Sequence, residues 1–197
     1  MSNVHLFELL NAPPGLDATH LWIATAIARW LIFAVPALLL VAWIRADRVA
    51  RHDLLIMLLA VGIGLGLAQV VAHVWPQPRP FALHLGTQYL EHANDPGLPS
   101  DHATVFWTLA FAAWGTRRYA VWAFPLLAAG LIVGWSRVYL GVHFPFDVLA
   151  AFPVAIVGAA AAHALRGPAL PVTSRLLSVH DAVIRRVLNR LRAMRHA

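Results

Sequence analysis

Cysteine and lysine are both missing from this 197-residue chain. Without cysteine there is no disulfide, no thiolate metal site and no thiol nucleophile. All fifteen basic residues are arginines, a bias that a GC-rich genome produces without mechanistic cause. Charge is scarce as well: 12% of residues are charged and 60% are hydrophobic. Soluble domains are nearer a quarter charged and half apolar. With a mean hydropathy of +0.67, the chain reads as a polytopic membrane protein, and its length suggests one domain, 1–197. The pI near 11.2 fits arginine-rich cytoplasmic loops better than nucleic-acid binding.

The opening MSNVHLFELLNAPPGLD has no basic start and carries Glu8 and Asp17, so it does not read as a signal peptide. Phe7, Leu9 and Leu10, followed by Pro13 and Pro14, suggest a short interfacial helix within residues 1–18. Spanning helices need roughly 20 apolar residues. Five candidates follow within 19–166: Leu21–Ile44, broken by Arg29 and Pro36, then Leu54–Trp75, a short Ser100–Trp114, Tyr119–Trp135 and Phe144–Leu165. Trp22, Trp43, Trp75, Trp114 and Trp135 lie near span ends, where interfacial anchors belong. The fold class expected is therefore an all-α membrane bundle of about five transmembrane helices.

The arginines sort by side. Arg45, Arg48, Arg51, Arg117, Arg118, Arg166, Arg175, Arg185, Arg186, Arg190, Arg192 and Arg195 all fall on one side of a five-span chain. The loops on the other side, 76–99 and 136–143, hold Arg79 and Arg137 alone. The positive-inside rule puts the C-terminus in the cytoplasm and those two loops outside a plasma or inner membrane. In the tail, 172–197, Leu176, Leu177, Val183, Ile184, Val187, Leu188, Leu191 and Met194 recur at helical spacing among arginines. This patterns a basic amphipathic helix for an anionic lipid surface, with a dimerisation helix as the alternative.

The two arginine-poor loops hold the chemistry. One carries Arg79-Pro80, then His92, Asp95 and Pro99-Ser100-Asp101-His102; the other carries Ser136-Arg137, His143 and Asp147. Ser100 sits where it would cap the third span, and Pro145 suits the first turn of the fifth. Two helix N-termini and two arginines would then converge on one outer pocket suited to phosphate. His143 fits a nucleophile attacking phosphorus, with Asp147 one turn on to hold its other ring nitrogen. His102 fits a general acid for the leaving oxygen. Arg79, Arg137 and Ser100 would stabilise charge on the phosphoryl oxygens. The scheme calls for no metal and no cofactor.

Arg79-Pro80, Pro99-Ser100-Asp101-His102 and Ser136-Arg137…His143…Asp147, in that order, resemble the three-part signature of the phosphatidic acid phosphatase type 2 superfamily. The likeness covers roughly residues 54 to 165. It implies a metal-independent phosphatase with His143 as nucleophile and His102 as acid. Asp101 stands where the usual motif has glycine. Together with His92 and Asp95, it resembles the undecaprenyl-diphosphatase branch of the bacitracin-resistance type, which regenerates the polyprenyl phosphate carrier of cell-wall synthesis. Asp101 is thus either a helix-start residue or a substrate-recognition residue. One departure stands out: the family's lysine seven residues before the arginine is Ala72 here, with His73 or Arg29 as candidate substitutes.

His92 and Asp95 read as loop structure. The remaining histidines show no metal-ligand spacing such as H-E-x-x-H. Phosphatidic acid, phosphatidylglycerophosphate and lipid A are rival substrates of the same site, and lipid phosphotransfer is a related activity. The vanadium haloperoxidases that share the motifs are soluble. A lipid-binding or transport protein keeping the motif is the reading from another class. The partners expected are a polyprenyl diphosphate or other phospholipid and membrane lipids, and the sequence leaves the oligomeric state open.

Overall fold

The structure, a computed structural model, describes residues 2–116 and 118–195. Arg117 of the loop charge pattern, and His196 and Ala197 of the expected tail helix, lie outside the described residues, as do the side chains of Leu188, Arg192 and Arg195. Eight α-helices follow in order: α1 Asn3–Leu10, α2 Ala18–Trp30, α3 Ala34–Arg45, α4 Arg48–Val74, α5 Asp101–Trp114, α6 Ala123–Tyr139, α7 Pro145–Ala164 and α8 Arg166–Arg195.

Among the described residues, four segments are long and apolar enough to cross a membrane: Ala18–Arg45, Arg48–Val74, Ala120–Tyr139 and Pro145–Ala164. The first is not one smooth helix. Pro36 lacks an N–H and its ring crowds the carbonyl four residues back, at Ile32. The chain tightens there into a 3-10 turn, Leu31–Phe33, between α2 and α3. The fifth expected span, α5, has only 14 residues, about 21 Å of helix against a hydrocarbon core of about 30 Å. It needs no match to lipid because α4, α6 and α7 surround it. Its Ala103, Thr104, Phe106, Trp107, Leu109, Ala110, Ala112 and Ala113 are buried.

Small residues let the helices approach closely, as membrane packing favours. A Cβ on Gly158 of α7 would come 2.9 Å from the Gly64 Cα of α4, and one on Gly64 would meet Thr108 Oγ1 at 2.7 Å. Trp22, Trp75, Trp114 and Trp135 are exposed, as anchors should be. Trp43 is not: its indole N–H donates to His180 Nε2 at 3.3 Å, and the Arg51 guanidinium lies over its ring.

Both terminal segments differ from expectation. α1 ends at Leu10, before the prolines, and Phe7 is fully buried in protein, edge-to-face with Phe144 at 5.3 Å. The Asn11 amide, just beyond, donates to Thr87 O and Tyr139 O at 3.0 Å and accepts from Thr87 N at 2.7 Å. The segment is therefore clamped onto the loop before α5 and the end of α6. The tail helix starts at Arg166 rather than 172, with Pro171 inside it. Arg166 pairs with the buried Asp53, and Arg48 and Arg51 reach Asp181 at 3.1 and 3.4 Å. These contacts hold α8 against the start of α4, and Leu177 is buried there rather than exposed.

Candidate active site

His143 lies in the short link between α6 and α7 and is 2% exposed. Gly141 makes that link possible: its φ is +82°, and a Cβ there would strike Thr87 O at 2.3 Å. Pro145 then opens α7, and Asp147 Oδ2 accepts the Phe144 N–H at 2.8 Å, satisfying a free donor of the first turn. The same oxygen stands 3.4 Å from His143 Nδ1. Burial holds the His143 imidazole well below its usual range, and the positive charges of Arg137 and Arg79 push the same way. Both effects favour the neutral ring, which is the nucleophilic form.

Arg79 reaches this ring from the other loop. Its Nη1 donates to Val142 O at 2.9 Å and lies 3.4 and 3.2 Å from His143 Nδ1 and Nε2. Its Nε donates to Asp95 O and Oδ1, both at 3.0 Å, so Asp95 orients the guanidinium. Gly97 must be small, because a Cβ would sit 2.9 Å from Asp147 Oδ2 and 3.3 Å from Arg79 Cγ.

Arg137, in the last turn of α6, donates from Nη1 to Ala28 O of α2 at 3.3 Å and lies 3.5 Å from His102 Nε2. Among the described residues its buried Nε has no hydrogen-bond partner, and neither does the buried Ser100 Oγ. Ser100 occupies the N-cap position of α5, but its hydroxyl makes no cap. Its backbone N–H instead donates to Asp147 O at 2.9 Å, tying the starts of α5 and α7 together. The geometry thus gathers Arg79, Ser100, His102, Arg137, His143 and Asp147 into one cluster.

Residues 53–169 match the PAP2 superfamily. This chain belongs to that family. It is 36% identical to the Escherichia coli protein YbjG over 159 residues, 79% of this chain and 78% of that one. It is 30% identical over 155 residues to the undecaprenyl-diphosphatase BcrC of Bacillus subtilis, 79% of each chain. Its fold is similar to the crystal structure of Aquifex aeolicus LpxE, with a TM-score of 0.66 at 22% identity, covering 81% of this chain and 93% of that one.

In this PAP2 chain three further residues join or flank the cluster. His92, expected as loop structure, stands with its ring centroid 6.3 Å from that of His143. Its Nδ1 donates to Ala93 O at 3.0 Å and lies 3.5 Å from Asp95 Oδ1. Burial lowers its basicity, with the Arg79 and Arg137 charges adding to the effect and the Ala93 bond opposing it. Asp95 joins through Arg79. The signal available in sequence was their spacing on a loop already carrying the first two motifs. Asp101 is exposed and accepts from Gln69 Nε2 of α4 at 3.3 and 3.4 Å.

The candidates for the missing lysine separate. Ala72 is half-buried in the last turns of α4, and His73 is exposed beside it. Arg29 follows Ala28, whose carbonyl holds Arg137, so it is level with the site. It is exposed and makes no hydrogen bond or ion pair among the described residues. Its helix, α2, packs through Ala24 and Ala28 against Leu90, Leu140 and Val142.

Proposed function

We propose that this PAP2 protein is a membrane phosphatase that hydrolyses undecaprenyl diphosphate to undecaprenyl phosphate and inorganic phosphate through a phosphohistidine on His143. The observation that carries the reading is the pair of orphaned buried groups, Ser100 Oγ and Arg137 Nε, flanking a neutral histidine and a second arginine. Buried polar atoms in folded proteins nearly always have partners. A phosphoryl oxygen supplies the missing acceptor for both. The name of the Bacillus subtilis relative favours the polyprenyl diphosphate over other lipid phosphates.

His143 Nε2 attacks the terminal phosphorus, and the bond from that phosphorus to the bridging oxygen breaks. The Nδ1 proton faces Asp147 Oδ2, which stabilises the positive charge that develops on the ring. His102 delivers a proton to the departing lipid monophosphate. Arg79, Arg137 and Ser100 hold the three non-bridging oxygens. Water, deprotonated by His102, then attacks the phosphohistidine and releases phosphate. No metal or cofactor takes part.

The orientation we propose puts His143 on the outer face and the C-terminus in the cytoplasm. Arg45, Arg48, Arg51, Arg118 and Arg166 lie at the helix ends away from the histidines, which supports it. The exposed apolar residues of α8, among them Leu176, Val183 and Val187, would rest on that leaflet beside its arginines.

The test is phosphate release in detergent, with chelator present, from undecaprenyl diphosphate and from phosphatidic acid. We expect chelator-resistant release that prefers the diphosphate and disappears in His143→Ala. Preference for phosphatidic acid would overturn the substrate assignment. Binding without turnover by the wild type would overturn the enzyme reading.

A further inference from the structure

A ligand-sized space lies at the end of the bundle away from the histidine cluster. Beyond the break at Pro36, α3 leans on α4 and leaves a cavity of about 590 Å³ bounded also by α5 and α6. Its floor is apolar: Val35, Leu54, Met57 and Leu109 all line it and are all buried. Its rim is cationic, because Arg45 and Arg118 also line it and are exposed. Arg118 is half neutralised by Asp47 at 2.7 Å, while Arg45 has no partner among the described residues. From Leu54 to Val74, α4 rises about 30 Å, so this space is separate from the histidine cluster.

The volume falls in the range of roughly 300–1,000 Å³ typical of ligand sites. Protein interiors are otherwise close-packed, and an apolar cavity does not hold water well. An occupant must therefore be oily at one end and anionic at the other. Arg45, Arg48, Arg51, Arg118 and Arg166 outnumber their partners Asp47, Asp53 and Asp181 here, so this surface keeps a net positive charge for anionic headgroups.

We infer that this cavity binds one anionic diacyl phospholipid, its phosphate on Arg45 and Arg118 and an acyl chain against Leu54 and Leu109. The lipid completes the packing of α3 on the bundle and serves no step of phosphate release.

The test uses the full-length protein in maltoside detergent with dioctanoyl-phosphatidylglycerol and dioctanoyl-phosphatidylcholine, read by native mass spectrometry and by melting temperature. The wild type should bind the glycerol lipid about tenfold more tightly, as charge-assisted contacts to a net anionic head imply. Arg45→Gln with Arg118→Gln should erase that preference. Ala42→Phe, which fills the cavity, should weaken both lipids. Phosphate release should be unchanged in each variant, confirming an intact fold. If Ala42→Phe does not fold, the arginine pair decides alone. Equal binding of the two lipids, or a preference that survives the double substitution, would overturn the site. Undecaprenyl phosphate outcompeting phosphatidylglycerol would overturn the assigned occupant.

Discussion

Asp147→Asn separates the two jobs of one carboxylate oxygen. Oδ2 accepts the Phe144 N–H at 2.8 Å and faces His143 Nδ1 at 3.4 Å. An asparagine amide placed there must turn its oxygen, not its nitrogen, towards the Phe144 N–H. That choice keeps an acceptor in front of Nδ1, so the productive tautomer survives, unlike in the Asp→Asn change of the serine-protease triad, where the tautomer is wrong and kcat falls about 10⁴-fold. What is lost is charge. Hydrogen bonds to charged groups contribute about 1.5–3 kcal/mol against about 0.5–1.5 for neutral ones. The difference, about 1–2 kcal/mol, should appear mainly as the ring becomes positive, lowering kcat about 5- to 30-fold. The KM should move little, and the melting temperature by no more than about 4 °C. Single-turnover phosphate release would measure it. A loss near 10⁴-fold with an intact fold would refute the tautomer argument. No loss at all would leave Asp147 as a helix cap only.

Other consequences can be measured on the same preparation. His143 is held neutral when folded, but takes up a proton below about pH 6.5 when unfolded. Stability from this residue is therefore present above that pH and lost as pH falls through it. The wild type should lose more melting temperature than His143→Gln between about pH 7.5 and pH 5, and parallel curves would contradict this. Gly97→Ala drives a methyl to 2.9 Å from Asp147 Oδ2, an overpacking of about 1–3 kcal/mol. It should cut kcat/KM about tenfold or more, and wild-type kinetics would show that the loop yields. Asn11→Ala removes three hydrogen bonds to Thr87 and Tyr139. At about 1 kcal/mol each, it should lower the melting temperature by about 5–10 °C.

The bundle and the cluster were legible in sequence for different reasons. Apolar runs of spanning length announce helices because lipid offers the backbone no other partner. Proline, serine and aspartate next to such runs then mark helix starts, and these placed His102 and His143 at the same end. Contacts made across loops leave no such trace. Nothing in the spacing of Asn11 says that its amide holds Thr87 and Tyr139 together. Likewise Ser100 has the chemistry of a cap, yet its N–H is spent on Asp147 O and its hydroxyl makes no hydrogen bond among the described residues.

Arg29 shows the limit most sharply. Its depth cannot be counted along α2 alone, because Ala24 and Ala28 of that helix pack on the loop residues Leu90, Leu140 and Val142. Only the contact between Ala28 O and Arg137 fixes its level. The Arg29 side chain is exposed and makes no ion pair among the described residues, and a charge left unpaired in lipid would be costly. It sits at the height where a lipid diphosphate would approach Arg137 from the membrane, on a different helix from the Ala72 that replaces the family's lysine. Under the proposed mechanism the motif positions would grip the phosphate that reacts, and Arg29, outside every motif, would meet the headgroup only from the membrane side.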